Sequence, residues 1–155
     1  ITAQSYLLQR YSEEGLLPSM IRLVQETPLI GGHQRLEEGL FVSGDDYWQE
    51  HCDFGIKTGK ASLLGQGKAR EIIVNIILPF IFSWVGKAGD SELKEKALRL
   101  YLSYPRLAEN EITRHMIRQF CLEERSDFTA CQQQGLIHIF SNWCKDGKCD
   151  ECPLT

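Results

Sequence analysis

The feature that most limits the fold is a nearly apolar run of 14 residues at 72–85, interrupted only by Asn75, Pro79 and Ser83. A bilayer span needs about 20 residues, so the run reads as a core helix and no membrane partner is expected. Pro79 cannot donate to the carbonyl of Asn75, four residues earlier, which predicts a kink. A buried Asn75 would need hydrogen-bond partners, because an unsatisfied polar group costs about 1–3 kcal/mol. Together these residues predict a bent central helix packed on several sides.

Helical spacing recurs on both sides of this run. Residues 1–10 read as helix, and Pro18 opens another that carries Met20, Ile21 and Val24 and stops at Thr27-Pro28. A short helix is expected over 33–41. After a turn at 43–46, Tyr47, Trp48, His51 and Cys52 share helical spacing. Gly86 and Gly89 end the central helix, and Asp90 caps a helix whose stripe is Leu93, Ala97, Leu100, Tyr101 and Tyr104. Residues 109–120 carry Ile112, Met116, Ile117 and Phe120. Residues 127–143 place Leu136, Ile139, Phe140 and Trp143 at i, i+3, i+4 and i+7. Period-two alternation, the mark of strands, is not convincing anywhere. No period of 30–45 residues recurs, which disfavours a solenoid. The expectation is an all-α fold, a compact bundle of six to seven helices with a kinked buried central helix.

The 155 residues are 43% hydrophobic and 25% charged, the balance of a globular domain rather than a disordered chain. They suit a single helical domain over 1–155 with a cysteine-rich tail at 144–155. Ile1 is not an initiator methionine and no leader pattern follows it, so the chain reads as a fragment of a longer, cytoplasmic protein. Seventeen basic residues against 21 acidic give a net charge of −4, with no global pull toward nucleic acid. One local stretch differs. Residues 55–68 read as a Gly-rich loop with Lys57, Lys60 and Lys68, followed by Arg70, and no acidic residue intervenes before Glu71. These four cations are candidate phosphate contacts, with a solvated loop as the alternative. Gly65-x-Gly67-Lys68 lacks the preceding strand and spacing of a phosphate loop. Adjacent carboxylates at 37–38, 45–46 and 123–124 diverge on a helix and read as solvated surface.

The pattern with most chemical content is the run Cys144-x4-Cys149-x2-Cys152-Pro153. Its Asp146-Gly147 turn can fold Cys149 back toward Cys144, and a two-residue gap lets Cys149 and Cys152 point at one centre. Three thiolates beside the negative end of a helix dipole would repel without a cation. An iron–sulfur cluster fits a thiolate-only set, zinc accepts the same spacings with four ligands, and a Cys149–Cys152 disulfide or plain thiols remain as alternatives. A thioredoxin-type role is disfavoured, because it uses a helix N-terminus after the first cysteine. A fourth ligand is needed for a closed site. Cys131 would lie about 20 Å from Cys144 along one helix, and His138 on another face. Cys52, Cys121, His51 and His115 stay open as candidates, although Cys52, Cys121 and Cys131 also suit buried thiols.

The stretches Tyr47-Trp48-x-x-His51, Leu64-Gly65-Gln66-Gly67-Lys68, Asn75-Ile76-Ile77-Leu78-Pro79-Phe80 and Glu109-Asn110, with the cysteine ending, resemble the C-terminal part of an uncharacterised bacterial family known as a domain of unknown function. The resemblance implies longer members with an upstream α/β portion similar to restriction-endonuclease-like nucleases, and an upstream cysteine that supplies the missing ligand. It implies a helical accessory domain, the upstream domain and DNA being its expected partners. No catalytic constellation is legible in this chain, and any nuclease activity would sit upstream. The tail alone is similar to the ends of helix-hairpin-helix DNA glycosylases that hold a 4Fe–4S cluster, but its first gap is four residues rather than six and a fourth cysteine is missing.

Overall fold

The computed structural model describes residues 3–44, 46–59, 62–122 and 128–154, without the side chains of Asp46 and Cys52. Lys60, Asp127 and the Glu123-Glu124 pair lie outside the described residues. Eight α-helices, two of them joined end to end by a π-turn, dominate what is described, and the chain is all-α as its periodicity predicts. It divides into two compact units, Ile1–Leu100 and Tyr101–Thr155.

The first unit opens with α1 (Ala3–Arg10), α2 (Leu16–Glu26) and α3 (His33–Leu40). Pro18 sits in the first turn of α2, where its missing N–H costs nothing, and Met20 and Val24 are buried. The helix stops at Thr27, whose hydroxyl donates to the Leu23 carbonyl at 2.6 Å, and Pro28 blocks a further turn. A Cβ at Gly32 would lie 1.9 Å from the Pro28 carbonyl oxygen, so only glycine allows this entry into α3. The C-terminal carbonyls of α3 are met by Arg10, which donates to Gly39 and Phe41 at 3.3 and 3.0 Å, and by Tyr11, which donates to Gly39 at 2.6 Å.

Between α3 and the central helix the structure departs from the helical expectation. A 3₁₀ turn at Asp46–Gln49 replaces the expected helix, and His51 begins a strand. Four short strands form two antiparallel pairs: β1 (Val42–Ser43) with β4 (Ser62–Leu64), and β2 (His51–Asp53) with β3 (Ile56–Lys57). Val42 and Leu64 face each other in register and are both buried. Strands of two or three residues are too short to show alternation, which is why the pattern was silent.

The central helix runs from Gln66 to Ala88 as α4 (Gln66–Ile72), a π-turn (Ile73–Ile77) and α5 (Leu78–Ala88). In the π-turn the Leu78 N–H reaches back five residues to the Ile73 carbonyl. Pro79 then falls in the first turn of α5, where no donor is required. The interruption expected at Pro79 is thus taken one turn earlier. Ala69, Ile73, Val74, Leu78, Ile81 and Val85 are buried, each large apolar side chain contributing about 1.5–3 kcal/mol. Asn75 is exposed and needs no buried partner, and Ile76, Phe80 and Trp84 are exposed too, so packing is on one side rather than several. At 23 residues, with a mean hydropathy of 1.5 over its most apolar window, this helix is long and apolar enough to cross a membrane. The length ground for excluding a membrane therefore falls. One stripe of it is buried, although only 28% of that window is.

Gly89, not Gly86, ends the helix, at a left-handed φ of 81°. The Asp90 carboxylate then accepts from the Leu93 N–H at 3.0 Å and starts α6 (Ser91–Leu102), which buries Leu93, Ala97 and Leu100.

The second unit holds α7 (Glu111–Gln119) and α8 (Ala130–Asn142). Each begins with a reciprocal cap, Asn110 with Thr113 and Thr129 with Gln132. Met116, Ile117, Phe128 and Leu136 form the core, flanked by Ile112, Phe120, Leu122, Ile139, Phe140 and Cys144. Buried Gln133 holds both backbone groups of Leu107: it accepts from the N–H at 2.7 Å and donates to the carbonyl at 3.1 Å.

Candidate functional site

The C-terminal thiols are placed by a chain reversal after α8. A 3₁₀ turn (Cys144–Asp146) ends at Gly147, whose φ of 68° lets the Lys148 N–H return to the Trp143 carbonyl at 3.0 Å. This is the Asp146-Gly147 turn expected from the sequence. A second 3₁₀ turn (Cys149–Glu151) follows, closed by the Cys152 N–H on the Cys149 carbonyl at 3.1 Å. Cys149 is exposed, whereas Cys144 and Cys152 are half-buried, and all three are thiols. Cys144 packs against the core formed by Met116, Ile117, Phe128 and Leu136. Among the described residues no three His, Cys, Asp or Glu side chains gather into a group able to hold a metal ion. As arranged, then, the three cysteines do not fit one three-thiolate centre.

The candidates for a fourth ligand have separate settings. Cys121 is exposed just past α7, at a left-handed φ of 51°. The side chain of Cys52 lies outside the described residues. His51 stacks on Tyr47 at 3.9 Å between ring centres, and its Nδ1 lies 2.8 Å from the Tyr47 carbonyl oxygen. His115 meets Phe140 edge-on. Cys131 sits on α8, which from there to Asn142 alone spans about 16 Å, and Cys144 lies beyond that end. Cys131 bonds Tyr101, whose phenol is pushed up by burial first and then by the charge and hydrogen bond of this thiol.

The described cations of the basic stretch face carboxylates. Lys57 lies 4.0 Å from Glu50, both well exposed, a pair worth about 0–1 kcal/mol. Lys68 pairs with Glu71 at 2.7 Å within one turn of α4. Arg70 donates from Nε to Glu37 at 3.0 Å, and the Glu37 side chain is only 4% exposed. Arg70 therefore ties α4 to α3.

Two apolar surfaces escaped the sequence reading. Tyr47 and Trp48 of the 3₁₀ turn cluster with Phe54 of the β2–β3 hairpin, ring centres 5.1–6.2 Å apart, and Phe54 is 80% exposed at the hairpin's tip. The Tyr47 hydroxyl anchors the hairpin by accepting from the Gly55 N–H at 2.6 Å. Phe54-Gly55 followed by Ile56-Lys57 was the available turn signal. The second surface is the exposed stripe Ile76, Phe80 and Trp84, in which the last two rings stack at 5.9 Å.

Fold and site define a helical domain with surface thiols and short aromatic excursions. A family model described as a protein of unknown function, DUF2851, matches residues 18–111, and the chain belongs to that family. The match takes in the hairpins and the central helix and stops before the cysteine tail. No curated protein and no solved structure matches the chain.

Proposed function

We propose that this chain is a non-catalytic helical accessory domain of a larger DNA-processing protein, with Cys144, Cys149 and Cys152 ligating an iron–sulfur cluster or, alternatively, zinc. The observation that carries the proposal is the reversal after α8, which sets three thiols on two successive turns at the edge of the second unit. Thiolates are the natural ligands of iron–sulfur clusters, and structural zinc takes four donors, so either centre draws a fourth ligand from Cys121, Cys52 or an upstream cysteine. Binding requires the three thiols to close up from their present arrangement. Nuclease activity belongs to the upstream α/β portion that the family resemblance implies. Lys57, Lys60 and Lys68 are the side chains offered to phosphate; Arg70 is held by Glu37.

A specific observation favours a second reading, a structural or protein-interaction domain with no metal or a purely structural one. The described cations are paired, the thiols do not converge, and Ile76, Phe80 and Trp84 are 57%, 46% and 48% exposed along one face. Apolar patches of this kind mark contact surfaces more readily than phosphate sites. Anaerobic purification followed by an absorption spectrum and metal analysis separates the two. Iron with acid-labile sulfide upholds the cluster, and stoichiometric zinc upholds its alternative. Absence of both leaves the interaction domain. Titration with short DNA at two salt concentrations tests the phosphate contacts, and no binding at low salt removes them.

A further inference from the structure

We propose that Cys149 and Cys152 form a reversible dithiol–disulfide pair, a two-residue redox site from which Cys144 is excluded. The pair is closed by the 3₁₀ turn in which the Cys152 N–H meets the Cys149 carbonyl at 3.1 Å. In a 3₁₀ wind, side chains three residues apart eclipse one another, and three rises of about 2.0 Å put their Cα atoms about 6 Å apart. A disulfide needs a Cα separation of roughly 4.4–6.8 Å, which an ideal turn of this kind satisfies. Cys149 is exposed, within reach of a small-molecule disulfide in solution, and Cys152 is half-buried. Cys144 instead packs on the Met116, Ile117, Phe128 and Leu136 core, and the three cysteines form no common metal group.

The chemistry is thiol–disulfide exchange with a small-molecule disulfide such as glutathione disulfide. The Cys149 thiolate attacks one sulfur, forms a mixed disulfide and expels one glutathione thiolate. The Cys152 thiolate then attacks the Cys149 sulfur, closes the protein disulfide and expels the second. The protein loses two electrons and two protons, and the oxidant leaves as two glutathione thiols. The second step is intramolecular, with an effective concentration in the mM range or above, so the mixed disulfide is short-lived. Unlike thioredoxin, Cys149 opens only a single 3₁₀ turn, so the pair is a switchable staple rather than a helix-activated oxidoreductase. The proposal does not rest on the metal reading, although a closed disulfide removes two of the three proposed ligands.

The test uses the full chain, reduced and stripped of metal, equilibrated at graded ratios of glutathione disulfide to glutathione. It is then quenched in acid, alkylated and digested with trypsin. Cleavage after Lys145 and Lys148 leaves Cys149 and Cys152 together on peptide 149–155 and Cys144 on a separate peptide. The expected product is peptide 149–155 two hydrogens lighter, with the Cys144 peptide still alkylated. Cys149→Ser and Cys152→Ser each abolish this product and raise glutathione adducts on the remaining cysteine at least about tenfold. Cys144→Ser leaves the midpoint ratio within about twofold. A disulfide from Cys144 to either partner overturns the proposal, as does wild-type peptide 149–155 that accumulates glutathione without closing. Metal analysis of the anaerobic protein is a separate readout, so failure of the metal reading and failure of this one are told apart.

Discussion

Arg70→Ala should destabilise the first unit, because it removes the guanidinium that faces the buried Glu37 carboxylate. That side chain is 4% exposed, with its Oε1 3.0 Å from the Arg70 Nε. Removing one member of a buried ion pair typically costs about 3–5 kcal/mol. Arg70 itself is 43% exposed, so water recovers part of this, and the expected loss is about 2 kcal/mol. Glu37→Gln keeps the shape and an acceptor oxygen for Arg70, and should cost only about 1 kcal/mol. The double variant leaves no charge buried, so it should be less unstable than the sum of the two, with a coupling of about 1–2 kcal/mol. Urea unfolding reads this through Trp48 and Trp84, which both lie in the first unit, in a Trp143→Phe background. If Arg70→Ala stays within about 0.5 kcal/mol of its parent, Arg70 is not a tie between α3 and α4, and its place among the phosphate contacts is restored.

Three further outcomes follow from the geometry. Gln133→Leu removes both bonds to Leu107 and should cost about 2 kcal/mol, read by Trp143 fluorescence; an unchanged midpoint would mean that water replaces the amide. Asn110→Ala opens the cap of α7 and should cost about 1 kcal/mol in the second unit, with a loss below a few tenths counting against the cap. His33 is held below its usual value of 6.5 by burial, with Glu37 opposing. The unfolded chain therefore takes up a proton that the folded chain resists, so this contribution is intact above pH 6.5 and declines as pH falls through that value. His33→Gln should flatten that slope in urea unfolding run from pH 7.5 down to about 5, and a steeper slope would reverse the assigned sign.

The helices were legible because each announces itself by apolar spacing and a terminator. Thr27-Pro28 stopped α2, Gly89-Asp90 separated α5 from α6, and Asn110 opened α7. The segment from Val42 to Leu64 was not legible, since its strands draw their stability from cross-chain partners such as Val42 and Leu64, far apart in sequence. Tyr47, Trp48 and His51 fell at helical intervals because they surround one 3₁₀ turn and a strand start. For the tail, spacing foretold the reversal at Gly147 but not that Cys144 would turn to the core. A thiol's preference for apolar surroundings competes with its affinity for a cation, and sequence alone does not rank the two. Charge patterning likewise found the cations near α4 but not the carboxylate 33 residues away that holds Arg70.

The π-turn in the central helix has a mechanical meaning beyond accommodating Pro79. It stores one residue more than an α-helix would need over the same rise, and so works as a phase slip between two indexed halves. Upstream, Ala69 and Arg70 set the angular position; downstream, Leu78, Ile81 and Val85 set it again. Deleting one residue from 73 to 77 would remove the surplus and let the segment close as regular α-helix with that trio still seated, whereas keeping every residue but forcing α geometry would rotate the downstream half by about 100°. The helix is in effect two cams on one shaft, and the surplus residue is the timing between them.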